Sequence, residues 1–173
     1  MSDELENEMP TRKKNRLENF DYSSCGAYFV TICTEGRRPI LSRIVGGGVL
    51  DAPISVELCI YGQVADRYIR QMNDFYHDIQ VKRYVIMPNH IHLLIVVSDS
   101  GASGTPPPTK QNATIARFVS TLKRFCNKEY GKNIWQRNYY DHIIRNRKDY
   151  EDHVKYIYEN PIHWAKDDMY IEE

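Results

Sequence analysis

The sequence predicts an α+β fold in which a four-stranded antiparallel sheet carries two helices on one face, with a further helix appended at the C-terminal end. Three observations lead there. Runs of β-branched and aromatic residues alternate with stretches of three-and-four apolar spacing, in the order strand, helix, strand, strand, helix, strand, helix. The two middle strands are separated by little more than a Pro88-Asn89 turn, which makes them an antiparallel hairpin. The first six elements together follow a split β-α-β pattern, whose packing solution is a sheet covered on one side.

Residues 1–18 read as a polar N-terminal arm whose last part is the basic run Thr11 to Arg16, and residues 19–173 as a single domain. Ala27 to Thr34 (AYFVTICT) is a first strand. Glu35 to Pro53, with Gly46-Gly47-Gly48, is an irregular excursion with room for a short hairpin. From Ile54 to Tyr76, the positions of Val56, Cys59, Ile60, Val64, Tyr68 and Met72 predict a helix. Ile79 to Met87 and Ile91 to Val97 are the hairpin strands, followed over residues 98–112 by a Gly, Ser and Pro-rich loop expected to be mobile. Asn112 or Thr114 caps a helix with the stripe Ile115, Phe118, Val119, Leu122, Phe125 and Cys126. Asp141 to Arg145 is a short strand, and Asp149 to Asn160 a final helix halted by Pro161.

A chain of 173 residues with 42% hydrophobic and 27% charged side chains can bury a core without disulfide staples, which excludes a disordered or fibrous protein. The four cysteines show no C-x-x-C pairing, so neither a zinc ribbon nor a disulfide framework is expected. No apolar run reaches the length of a membrane span, and the start MSDELENEMP is unlike a secretory signal. The expected location is the cytoplasm, with no membrane partner.

Formal net charge is zero, but the charge is unevenly spread. From Lys110 to Lys148, ten basic residues including Arg117, Lys123, Arg124, Arg137 and Arg145 face only Glu129 and Asp141, while acid collects near both ends, in Asp3, Glu4, Glu6 and Glu8 and in Asp167, Asp168, Glu172 and Glu173. A basic window of this kind suits a phosphate backbone, or is simply a solvated face.

His90 and His92 flank Ile91 on a strand, so both imidazoles project to one side while Ile91 turns to the other. Two convergent nitrogen donors make half of a metal site, or an ordinary polar strand face. On the last helix, Tyr150, Val154, Ile157 and Tyr158 form an apolar face expected to be core, whereas Tyr156 shares the opposite face with Asp149, His153 and Asn160. A tyrosine there is either an ordinary exposed aromatic or a phenol placed for use, and near a metal-held phosphate a phenol is a usable nucleophile. The amide oxygen of Asn160, one turn beyond Tyr156, can serve as a third ligand, and two imidazoles with one amide leave positions open on an octahedral Mg²⁺ or Mn²⁺. Metal site, phenol, basic window and mobile loop together fit phosphoryl transfer on nucleic acid.

YVIMPNHIHLLIVV, from Tyr84 to Val97, resembles the His-hydrophobic-His strand of the HUH single-strand DNA transposases with one catalytic tyrosine. IWQRNYYDHIIRNRKDYEDHVKYIYENP, from Ile134 to Pro161, resembles more narrowly the REP-associated tyrosine transposases. With AYFVTICT, the similarity runs from about Asn19 to Trp164. The resemblance implies a ferredoxin-like sheet, a divalent cation on His90 and His92, and Tyr156 as the nucleophile that cuts single-stranded, hairpin-forming DNA. A 5′-phosphotyrosine link and a free 3′-hydroxyl would result. It also places Asn160 at the family's third polar metal ligand. Such enzymes include monomers and dimers, so a homodimer stays open.

Tyr139, Tyr140, Tyr150 and Tyr158 sit near Tyr156 and stay open as alternative nucleophiles, with helical face and motif position both favouring Tyr156. Lys123, Arg124 and Arg145 are candidate phosphate contacts. Trp135, Tyr139 and Tyr140 either stack on unpaired bases, at roughly 1 to 3 kcal/mol per base, or belong to the core. His142 is a further candidate for the metal, or the holder of a structural hydrogen bond. The reading that competes with an enzyme is a non-catalytic nucleic-acid-binding module on the same fold; a metal-dependent hydrolase using water would leave Tyr156 dispensable.

Overall fold

The computed structural model describes residues 26–46, 53–98 and 113–171. The arm at 1–18, most of the loop at 98–112, and Asn112 lie outside the described residues. Among them the elements are β1 (Gly26–Cys33), β2 (Ser42–Val45), β3 (Ser55–Leu58), α1 (Ile60–Phe75), β4 (Ile79–Ile86), β5 (His90–Val97), α2 (Ala113–Tyr130), β6 (Tyr140–Ile144) and α3 (Arg147–Glu159). Thr114 falls inside α2 and is not its cap.

Strands β4, β5, β1 and β6 form one antiparallel sheet in that order, so β1 and β5 are its centre. Alternation sorts their side chains. Tyr28, Val30 and Ile32 of β1 and Ile91, Leu93, Ile95 and Val97 of β5 enter the main core with Val64, Ala65, Ile69 and Met72 of α1 and Ile115, Phe118, Val119 and Leu122 of α2. Phe29, Thr31, His90, His92 and Leu94 lie on the other side, the side on which α3 packs against β4 and β5. The fold is the α+β, ferredoxin-like sheet expected, with two helices on one face and the tyrosine-bearing helix added.

The helix expected from Ile54 begins only at Ile60. Ser55-Val56-Glu57-Leu58 has a period of two as well as a place in the helical stripe, and it pairs as β3 with β2, Ser42 opposite Leu58 and Val45 opposite Ser55. Leu41 locks this hairpin to the helix: its carbonyl accepts from the Cys59 N–H at 2.9 Å, and a Cβ at Gly62 would lie 2.1 Å from the same oxygen.

Helix α3 starts at Asn146, whose side chain accepts from the Asp149 N–H at 2.9 Å. Its orientation departs from the expected stripe. Tyr158, expected in the core, is 81% exposed, whereas Asn160, on the expected outer face, is buried. The sheet surface beneath α3 presents polar histidines as well as apolar groups, so the face that turns inward is the mixed one carrying His153, Ile157 and Asn160. The chain then turns at Pro161 and passes through a 3₁₀ turn, Trp164–Lys166.

Candidate active site

Both histidines of β5 are almost wholly buried, at 0% and 2% exposure. Their Nε2 atoms face each other at 3.0 Å. Each ring is held from behind: the Nδ1 of His90 lies 2.8 Å from Asn89 Oδ1, and the Nδ1 of His92 lies 2.8 Å from the hydroxyl of Thr31, its cross-strand neighbour. Because an amide oxygen only accepts, His90 carries its proton on Nδ1, which leaves the Nε2 lone pair directed at its partner. This is the arrangement in which backing hydrogen bonds aim imidazole donors at a cation.

Helix α3 brings Tyr156 over the same spot. Its ring stands edge-on to His92 at 5.2 Å and to Phe29 at 5.8 Å, and it remains 44% exposed. The phenol O–H is directed at Asp167 Oδ2, 3.5 Å away, and the Asn160 Nδ2 donates to that oxygen at 3.0 Å. Asp167 Oδ1 accepts from the Met169 N–H at 2.7 Å. One ligand atom from each of His90, His92 and Asp167 lies within 4.8 Å of the others. In the sequence Asp167 is only part of an acidic C-terminal end; beyond Pro161 no periodicity links it to the histidines.

Asn160 Oδ1 is buried with no hydrogen-bond partner among the described residues. An orphaned buried acceptor costs on the order of 1 to 3 kcal/mol, so it calls for a partner. A divalent cation fits the donor set, because the side chain that carries this oxygen holds, through its Nδ2, the carboxylate that borders the two imidazoles.

Electrostatics agree. Burial lowers His90 to about 4, against the raising effect of Asp167, and burial together with His90 and His153 lowers His92 well below its usual value. Both are neutral donors at ordinary pH. Burial, then the charge of Asp167, raises Tyr156. A cleft of about 310 Å³ beside the phenol is lined by Glu159, Asp167 and Asp168 as well as Lys166. A bare phosphate would be repelled by this acid unless a cation stood between them.

No family model matches the sequence. A Haemophilus influenzae protein of uncharacterised function is 30% identical over 176 residues, 93% of this chain and 94% of its own. An Escherichia coli K12 REP-associated tyrosine transposase is 33% identical over 89 residues, half of this chain and 48% of its own length. A putative REP-associated tyrosine transposase of Haemophilus influenzae is 27% identical over 82% of this chain and 73% of its own. The fold matches the structure of a REP-associated tyrosine transposase bound to a REP hairpin with a TM-score of 0.57 and 24% identity, covering 87% of this chain and 75% of that one. The chain is a relative of the REP-associated tyrosine transposases.

In this REP-associated transposase relative, the other expected contact residues divide. Arg124 and Arg145 are exposed. Lys123 is half-buried, its ammonium lowered to about 8 by burial, and it donates to the carbonyls of Gln136 at 2.8 Å and Asn138 at 3.1 Å. It clasps the loop before β6 and is not presented to a phosphate in this conformation. Trp135 is 1% exposed and packs in the main core, bridged by its backbone to Thr34, so of the two roles weighed for it the structure supports core. Tyr139 packs partly against the same core, and Tyr140 is 49% exposed. His142 does not join His90 and His92. Its Nε2 lies 3.1 Å from Asp149, which also meets His153 Nδ1 at 3.1 Å, in a separate, more exposed cluster.

Proposed function

We propose that this protein is a transposase that cuts and rejoins single-stranded DNA, with Tyr156 as nucleophile and a Mg²⁺ or Mn²⁺ held by His90, His92 and Asn160. The observation that carries the reading is the convergence of a half-exposed phenol, two buried imidazole nitrogens and a carboxylate on one spot, with the orphaned buried amide oxygen of Asn160 on the side chain that holds that carboxylate. The names of two relatives support transposition, and the fold neighbour's REP hairpin supports a hairpin-forming DNA partner.

The chain's own groups then have distinct tasks. Asn89 and Thr31 fix the rings of His90 and His92 so that both Nε2 atoms already face one spot. Phe29, stacked on His92 at 4.9 Å, excludes water from beneath the ring. When bound, the cation supplies charge neutralisation and polarisation of a phosphate oxygen. Tyr156 loses its proton and bonds to phosphorus while the bond to the 3′ oxygen breaks and that oxygen takes up a proton. The 5′ side is thereby held as a phosphotyrosine, and the 3′-hydroxyl can later attack it to reseal the strand. Arg124 and Arg145, exposed and cationic, are proposed to track the DNA backbone.

The test is a denaturant-resistant adduct between the protein and labelled single-stranded hairpin DNA in Mn²⁺. Tyr156→Phe is expected to lower adduct formation by about a thousandfold or more, while binding the hairpin as the parent does. An adduct that survives this change would move the nucleophile elsewhere; hairpin binding without any adduct in the parent would favour a binding module.

A further inference from the structure

We propose that Asp167 is an anionic ligand of the cation at His90 and His92, delivered by the segment that follows α3. This rests on the cation-dependent reading above and deepens it. Two imidazoles and an amide oxygen are all neutral donors, a weak set for a hard divalent ion, whose affinity follows the number of charged oxygens around it. The Asp167 carboxylate is the anionic member of the buried cluster, with an oxygen within 4.8 Å of both imidazole donors. It also lies against Asn160, whose free Oδ1 faces no protein partner among the described residues.

The carboxylate is placed by its own segment. The Met169 N–H donates to Oδ1 at 2.7 Å, fixing the turn, and the Met169 carbonyl accepts from Asn89 Nδ2 at 2.7 Å. Asn89 is the same residue whose Oδ1 backs His90. A single side chain therefore orients one histidine and latches the segment that carries the acid. Arg37 adds a bond to the Asp168 carbonyl at 3.2 Å, and Trp164 lies 5.9 Å from the His90 ring. Such shared anchoring couples the cation to the docking of the segment: the acid that repels phosphate without the ion becomes a ligand with it.

The experiment is Mn²⁺ titration of the full chain by calorimetry, without DNA, on the parent, Asp167→Asn and His90→Ala, with hydrogen exchange of the 164–171 amides read in the same solutions. Asp167→Asn keeps the shape and removes the charge; it is expected to weaken Mn²⁺ by about tenfold or more. In the parent, Mn²⁺ is expected to slow exchange across 164–171, and in the variant this protection should shrink, a readout that shows the segment itself responding. If His90→Ala loses Mn²⁺ but Asp167→Asn binds within about twofold of the parent, the proposal fails and the histidine site stands. If the parent binds no Mn²⁺, both fall together.

Discussion

His92 and His153 each approach the ring of Phe29, at 4.9 and 4.6 Å, and each belongs to a cluster of two histidines and one aspartate. The two clusters have the same composition and opposite hydrogen-bond economies. In the cluster of His142, Asp149 and His153, the donors are already engaged: both carboxylate oxygens of Asp149 meet imidazole nitrogens, Oδ2 also accepts the Arg145 N–H at 2.9 Å, and His153 Nδ1 reaches the Asp149 carbonyl at 2.8 Å. In the cluster of His90, His92 and Asp167, the backing bonds are made and Asp167 is held by Asn160 and Met169, but the two imidazole Nε2 atoms meet only each other. His90 and His92 direct nitrogen against nitrogen, and the amide oxygen nearby is orphaned. What marks a cation site is thus the set of groups left unsatisfied under burial, rather than residue types within reach of one another.

The largest expected difference between the two lies in metal binding. His90→Ala should weaken Mn²⁺ by about a hundredfold or more, since it removes a donor from a preorganised set, whereas His142→Ala should leave the affinity within about threefold. Calorimetric titration of both variants decides it. Comparable losses from the two would mean that the clusters act as one site and that the distinction drawn from hydrogen bonding is wrong.

The second difference is in acid stability without metal. His90 has its folded value lowered to about 4 by burial, below the usual 6.5 of an unfolded histidine. Between those values the unfolded chain binds the proton and the native chain does not, so stability falls as pH drops from 6.5 towards 4, while above 6.5 this contribution is constant. At about pH 4.5, the loss amounts to roughly 2 to 3 kcal/mol for His90. Urea unfolding in chelator across this range should show a slope that flattens in His90→Ala and persists in His142→Ala. An unchanged slope in His90→Ala would place the acid sensitivity elsewhere.

These contrasts also explain what was legible in the sequence. The strands at 26–33, 79–86 and 90–97 announce themselves because a residue and its neighbour two along share a face, and the same rule puts His90 and His92 together from their spacing alone. Val56 misleads because one residue satisfies both a helical and a strand period; only its partner strand resolves the choice. Tyr158 misleads because the apolar stripe of α3 is not the face it buries: the sheet surface beneath the helix selects a face with polar groups to match its histidines. Trp135, open to two roles in the sequence, is core because Thr34 pairs with it across a long separation. Asp167 has no local signature at all: it is recruited by Asn89, Asn160 and Met169 across a turn, and such recruitment is a property of the folded chain.

The smallest effect should come from the exposed cluster, and it should be structural. Asp149 sits in the first turn of α3, where its carboxylate complements the helix end, and its value is held low by the Arg145 N–H first and then by His142. The amide of Asp149 is itself capped by Asn146. Asn146→Ala is expected to cost about 1 kcal/mol, within the usual range for a lost cap, and to leave Mn²⁺ affinity and adduct formation as in the parent at temperatures well below unfolding. His142→Ala, removing an exposed imidazole–carboxylate contact, should cost less, about 0.5 kcal/mol. Thermal melts and the adduct assay, run on the same preparations, separate the alternatives. Should Asn146→Ala depress the adduct without a matching loss of stability, the start of α3 would be setting the position of Tyr156 three turns on, and the two clusters would be linked through the helix that joins them.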